Sequence, residues 1–162
     1  MYQMIELSKD FCKEKHNGVF RKNNEPHYKH SIRVGEMVSK YNDDEDVIIA
    51  GYLHDILEHS NVTEKELTDV FNENVTGLII ELTNDSELIK IKGKFKYLVD
   101  KINSLSNDSL LIKLCDRYDN LTDSGSNPKY KVETNRLLKT LNRPLTSKHK
   151  EIIKLITSIT EN

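Results

Sequence analysis

Apolar residues recur every three to four positions along most of this chain, with polar residues filling the intervals. That period predicts helices. A first helix over 2–15 carries Met4, Leu7 and Phe11 on one stripe. The stretch NGVFRKNNEP, residues 17–26, reads as a loop ended by Pro26. A second helix over 27–41 places His30, Val34, Met37, Val38 and Tyr41 on one face, which turns His30 inward. The run NDDEDV supplies a cap and first-turn carboxylates for a third helix over 45–58. Its inward face is Val47, Ala50, His54 and Leu57, with Leu53 beside them. At helical spacing His54 lines up with Glu58, and Asp55 with His59.

Further along, Thr63 and Glu66 read as a capping box opening a short helix to about Phe71. Asn74 is placed to cap the next helix, with Val75, Leu78, Ile79 and Leu82 inward. The 84–105 region predicts a loop followed by a helix over 94–103. Residues 109–121 are strongly periodic through Leu110, Leu114, Tyr118 and Leu121. SGSNP, residues 124–128, breaks the chain again. Two closing helices follow over 130–141 and 147–160, separated by NRPLTS. No strand pattern competes. Gly and Pro number only six and three, a scarcity that suits helices. The expected class is all-α, a helical bundle of about eight helices.

Composition narrows the field. A chain of 162 residues is long enough for one proper core, so a single domain over 1–162 is expected. The 24 basic and 26 acidic residues leave a formal net charge of −2, without the basic footprint of a general nucleic-acid binder. No apolar run approaches the roughly 20 residues that span a bilayer, and MYQMIELSKD lacks the apolar core of a secretory signal. Cys12 and Cys115 form neither a metal-type pair nor a disulfide framework. A cytoplasmic protein with no nucleic-acid or membrane partner is the expectation.

Against that background, GYLHDILEHS, residues 51–60, sets titratable side chains into an apolar run. Buried charge is costly unless it is paired or coordinates a metal. Three inward helices each offer a metal-type donor: His30, then His54 with Asp55, then Asp116 from LLIKLCDRYDNL. Two imidazoles and two carboxylates suit Mn, Fe, Zn or Ni better than Ca or Mg. Each residue alone has an ordinary reading. A lone helix histidine is usually a core residue, and an HD dipeptide is weak. The four together, in this order on separate helices, make the stronger signal.

That pattern, H…HD…D, resembles the signature of HD-domain metal-dependent phosphohydrolases. Its surroundings resemble the RelA/SpoT-type (p)ppGpp hydrolase domain more narrowly. RKNNEPHYKHSIRV is similar to that family's RK-x-x-EP-x-x-x-H segment, LHDILEHSNVT to its LLHD-x-x-ED-x-x-x-T, FNENVTGLIIELTND to its FG-x-x-V-x-x-LV-x-x-VT, and IKLCDRYDNLTD to its KLAD-x-x-x-N. The likeness runs from about Phe11 to Asp123 and has the layout of the small stand-alone hydrolases of the metazoan SpoT-homologue type. It implies that His30, His54, Asp55 and Asp116 hold a manganese ion or another divalent transition metal. It implies that Glu58 helps activate and orient the attacking water. Arg21 and Lys22 match the loop pair that anchors the nucleotide, and Asn120 a residue near its sugar. The implied reaction removes the 3′-pyrophosphate of guanosine tetra- or pentaphosphate, a small-molecule substrate, leaving GDP or GTP.

The chain departs from the pattern at Glu58-His59, where the family has Glu-Asp. An imidazole can act as a base or shuttle protons near neutral pH, but it lacks the negative charge of a second carboxylate. That leaves open an HD-type hydrolase for another nucleotide, or a module that binds nucleotide with weakened catalysis. His27 stands where the family often has Tyr, with surface exposure its ordinary reading. His16 and His149 read as surface residues, and Cys115 as core packing. Lys90, Lys92, Lys94 and Lys96 read as a solvated basic face, which the likeness sets near the pocket mouth.

Overall fold

The computed structural model describes residues 2–123 and 127–161. Among them no strand forms; a lone antiparallel bridge pairs Phe20 with Pro26. The all-α class holds. The described residues form eleven helical segments rather than about eight. They group into two compact units, divided between Thr83 and Asn84.

The first unit contains α1 (Tyr2–Lys15), α2 (His27–Tyr41), α3 (Glu45–Tyr52), α4 (Ile56–His59), α5 (Glu64–Val70) and α6 (Glu73–Leu82). Helix α3 is its centre, since α1, α2 and α6 all pack against it. Every residue from Val47 to Tyr52 is buried. The approach of α2 to α3 depends on two residues without side chains. A Cβ on Gly35 would run into the ring of Tyr52, and one on Gly51 would stand 3.0 Å from Val38 Cγ2. Caps fix the starts: Asp44 accepts from the Asp46 amide, and Thr63 from that of Glu66. Helix α6 is capped by Asn72, which accepts from the Val75 amide, rather than by Asn74. Asn74 instead donates to Asp46 Oδ2 at 3.3 Å, so both asparagines serve the same end of the unit.

Helix α1 does not bury the expected stripe. Leu7 is exposed, whereas Ser8, Phe11, Cys12 and His16 are buried. The small residues Ser8 and Cys12 let α1 lie close to its neighbours, so the inward face is rotated from the most apolar one.

The second unit contains α7 (Ser86–Lys92), α8 (Lys94–Ser104), α9 (Asn107–Thr122), α10 (Pro128–Lys139) and α11 (Ser147–Thr160). The region expected to be a loop before residue 94 is itself helical. Asp85 caps α7 by accepting from the amides of Glu87 and Leu88, and Gly93, at φ +83°, separates α7 from α8. Helices α9 and α11 pack together, with α10 against both. The break expected at 124–128 falls partly on 124–126, outside the described residues; Asn127 caps α10, with Pro128 in its first turn.

His149 is buried rather than at the surface. Its Nδ1 accepts from the Thr146 amide at 3.1 Å, its own amide donates to Thr146 Oγ1 at 3.2 Å, and its Nε2 donates to the Asn107 carbonyl at 2.8 Å. A histidine thus does the work usually given to glutamate in a capping box. No helix among the described residues is long and apolar enough to cross a membrane.

Candidate metal centre

The expected helix over 45–58 is interrupted where the chemistry lies. Helix α3 stops at Tyr52, and α4 starts at Ile56. Between them the Ile56 amide bonds the Leu53 carbonyl at 3.1 Å, and the His59 amide the Asp55 carbonyl at 3.2 Å. His54 and Asp55 therefore sit in a bend. Neighbours on a regular helix point about 100° apart; the bend brings His54 Nε2 to 3.7 Å from Asp55 Oδ2. Because α3 is apolar all round, its periodicity carries no mark of this end.

Both buried histidines of the expected site are set by packing. The rings of His30 and His54 meet edge to face, centroids 5.2 Å apart, and both side chains are buried. His54 Nδ1 lies 3.0 Å from the Gly51 carbonyl. A carbonyl only accepts, so Nδ1 carries the proton, and Nε2 is the nitrogen left to face a cation. That is the orientation a metal-binding imidazole needs.

Asp55 is the hub of this unit's titratable cluster. Ser31 Oγ donates to its Oδ1 at 3.2 Å, and His27 Nε2 stands 2.6 Å from its Oδ2. Burial by itself would raise the carboxyl pKa. The nearby His54, the His27 hydrogen bond and the charges of His27 and His30 outweigh it, holding Asp55 well below the usual carboxylate range. It is an anion at neutral pH, a precondition for binding a cation.

Two histidines read as surface residues belong to this cluster. His27 is buried, with its ring 5.8 Å from that of His30 and 4.8 Å from that of His59. His16 is 1% exposed, and its ring lies 4.8 Å from that of His27. Burial lowers the His16 pKa to about 4 despite the pull of Asp55, so the ring is neutral at pH 7. The signal for His16 was in the sequence: Ser8, Cys12 and His16 fall at i, i+4 and i+8 on one face. Donor atoms of His16, His27 and Asp55 all lie within 4.8 Å of one another. Two imidazoles with one carboxylate are a donor set that transition cations accept.

The Glu58-His59 pair sits at the edge of this cluster. His59 Nε2 is 3.9 Å from Glu58 Oε2, and the His59 side chain is 45% exposed. Arg21 and Lys22 lie in the loop ahead of α2. That loop is pinned by Arg21 N–H donating to the Glu25 carbonyl at 2.9 Å and by Arg33, whose two terminal nitrogens reach both Glu25 oxygens at 2.7 and 3.1 Å. Lys22 is exposed there, and Arg21 half-buried.

In the second unit, Asp116 is buried on α9. Lys113 Nζ lies 3.3 Å from its Oδ2, and Asn120 donates to its Oδ1 at 3.2 Å. Asn120 Nδ2 also reaches Tyr130 Oη at 3.3 Å, so Asp116, Asn120 and Tyr130 form one linked set. Cys115 is buried, and burial pushes its thiol far above the usual range, in keeping with core packing.

A family model described as HD domain matches residues 8–149. The chain belongs to the HD-domain family. Among curated relatives of this HD domain, the guanosine-3′,5′-bis(diphosphate) 3′-pyrophosphohydrolase of Aquifex aeolicus is 37% identical over 93 residues, 57% of the chain and 12% of that protein. The enzyme of that name called MESH1 from Xenopus tropicalis is 32% identical over 95 residues, 56% of the chain and 53% of that protein. A solved structure described as "A metazoan ortholog of SpoT hydrolyzes ppGpp and plays a role in starvation responses" superposes with a TM-score of 0.81 at 24% identity. That match covers 96% of this chain and 94% of the other, and it shows a shared fold. The chain spans about a tenth of the length of the bacterial relatives, 11% and 12% of two of them, and about half that of the frog protein.

Proposed function

We propose that this HD domain, acting as one catalytic unit over 1–162, is a manganese-dependent phosphohydrolase. It removes the 3′-pyrophosphate of guanosine tetra- or pentaphosphate to leave GDP or GTP. The observation that carries the reading is the preset tautomer of His54, with its proton on Nδ1 toward the Gly51 carbonyl, beside the ionised Asp55. The names of the relatives support the substrate class.

In this reading His30, His54, Asp55 and Asp116 hold the divalent cation. A cation held there lowers the pKa of water and neutralises phosphate charge. The remaining work falls to this chain's own groups. Glu58 accepts a proton from the attacking water and orients it. His59, partly exposed beside Glu58, passes that proton to solvent or to the leaving pyrophosphate. Arg21 and Lys22, on the loop braced by the Arg33–Glu25 pair, grip the nucleotide phosphates and base. Asn120, held by Asp116 and Tyr130, contacts the sugar. Lys113, with Nζ 3.3 Å from Asp116 Oδ2, orients that carboxylate.

A second reading is favoured by Glu58-His59 alone. With an imidazole in place of a second carboxylate, the chain is a nucleotide-binding module that turns substrate over slowly, or an HD hydrolase for another nucleotide. Incubation of the purified protein with ppGpp and Mn²⁺ separates these. Release of pyrophosphate and GDP is expected, and loss of turnover in Asp116→Ala. Tight binding without product would establish the second reading. Full turnover in Asp116→Ala would reject the ligand set.

A further inference from the structure

His16 poses a problem of its own. Its side chain is buried, and neither ring nitrogen makes a hydrogen bond. Its Nε2 stands 3.7 Å from Asp55 Oδ1, too far to count as one. An unsatisfied buried polar group costs roughly 1–3 kcal/mol. An imidazole always offers at least one lone pair or proton, so a site that buries it without a partner invites a ligand. A leucine or phenylalanine would fill the same volume without that cost.

The surroundings say which ligand. Facing His16 are a second imidazole, His27, and the Asp55 carboxylate, with all donors within 4.8 Å. Ligands of a zinc-type ion sit at about 2.0–2.2 Å from it, so two of them stand roughly 3–3.5 Å apart. His16 Nε2 to Asp55 Oδ1 already approaches that spacing. His27 Nε2 to Asp55 Oδ2, at 2.6 Å, is held closer by a shared proton. A cation that takes the place of this proton lets the pair open by a few tenths of an ångström. The partly exposed His59, its ring 4.8 Å from that of His27, marks the side open to solvent.

We propose that His16, His27 and Asp55 form a second divalent-metal site, of the two-histidine, one-carboxylate type that takes Zn²⁺, Fe²⁺ or Mn²⁺. Asp55 would be shared between it and the site proposed above, since its Oδ2 faces both His27 at 2.6 Å and His54 at 3.7 Å. That sharing rests on the reading of Asp55 as a ligand there; the second site itself needs no nucleotide. Two cations sharing one buried carboxylate leave excess positive charge, which a polyanionic substrate or a bridging hydroxide balances.

Metal content tests this without any assay of turnover. Chelator-stripped full-length protein is equilibrated with Zn²⁺ by dialysis and its bound metal measured per chain. Two equivalents are expected for the wild type, and one for His16→Phe and for His27→Phe, each checked for folding by circular dichroism. Asp116→Ala should also hold one, now lost from the other site. Loaded with Mn²⁺, the wild type should give the electron paramagnetic spectrum of two exchange-coupled ions, and His27→Phe that of an isolated one. One equivalent in the wild type overturns the second site, as do two in both histidine variants. Absence of ppGpp hydrolysis would count against the proposed reaction and leave this result standing.

Discussion

At the scale of single residues, His59 is the departure from the family pattern whose effect on the proposed reaction can be argued from geometry. Its side chain is 45% exposed and lies 3.9 Å from Glu58 Oε2 and beside the ring of His27. A carboxylate in this place would add one negative charge next to the water proposed to attack. That would strengthen the base and favour the cation. His59→Asp should therefore raise ppGpp turnover several-fold, up to about tenfold, or about 1.4 kcal/mol in the barrier. Steady-state kinetics of the two proteins, with KM recorded alongside kcat, decide it. An unchanged or lower kcat would mean that the imidazole is the better proton carrier in this setting. The sequence displays His59 plainly, but it gives no hint of the tilted ring contact with His27, because that pair is 32 positions apart and joined only by folding. The same holds for Asp55, which reads as one ligand in a dipeptide and turns out to gather His16, His27, Ser31 and His54 around it.

At the scale of elements, the helices whose ends were visible share one trait: their periodic face stops at a recognisable cap or breaker. Helices α1, α2 and α11 occupy the residues that the spacing marked, 2–15, 27–41 and 147–160. The failures have different physics. The end of α3 is invisible because α3 is buried on every side, and α7 was missed because none of its residues is buried. The start of α11 hid a further feature. Its capping box uses His149 as an acceptor through Nδ1, and only the neutral imidazole can accept there while Nε2 donates to Asn107. Burial lowers the His149 pKa below its ordinary 6.5, against the opposing Asn107 hydrogen bond. Below pH 6.5 the unfolded chain then binds a proton that the folded chain resists, so stability falls as the pH falls through this window. His149→Gln keeps an acceptor and donor but does not titrate. Between pH 7 and 5, the melting temperature of the wild type should drop more than that of His149→Gln, as read by thermal unfolding monitored by circular dichroism. Parallel curves would show that His149 is not the titrating group.

At the scale of the whole molecule, charge governs how a polyanionic substrate meets the protein. The net charge is −2, so attraction has to be local. The alternating lysines at 90, 92, 94 and 96 look like an obvious attractor in the sequence. Folding answers them with carboxylates. Lys92 and Lys96 reach Asp100 at 3.0 and 2.6 Å, Lys94 reaches Glu133 at 3.6 Å, and Lys90 reaches Glu87 at 3.5 Å. Hydrogen bonds from Lys96 and Lys92 lower the Asp100 pKa, so its charge persists well into acid. Four cations set against three anions leave a weak field. Salt at physiological strength screens it beyond about 8 Å. These pairs lie on the surface, where breaking them costs the fold little. The double replacement Lys92→Gln with Lys96→Gln should therefore leave the KM for ppGpp within about twofold of the wild-type value, with an equally small change in its salt dependence. A tenfold rise in KM at low salt, fading as salt is added, would mean that substrate displaces Asp100 and takes these lysines for itself. The nucleotide grip proposed for Arg21, Lys22 and Asn120 would then have to include the α7–α8 turn.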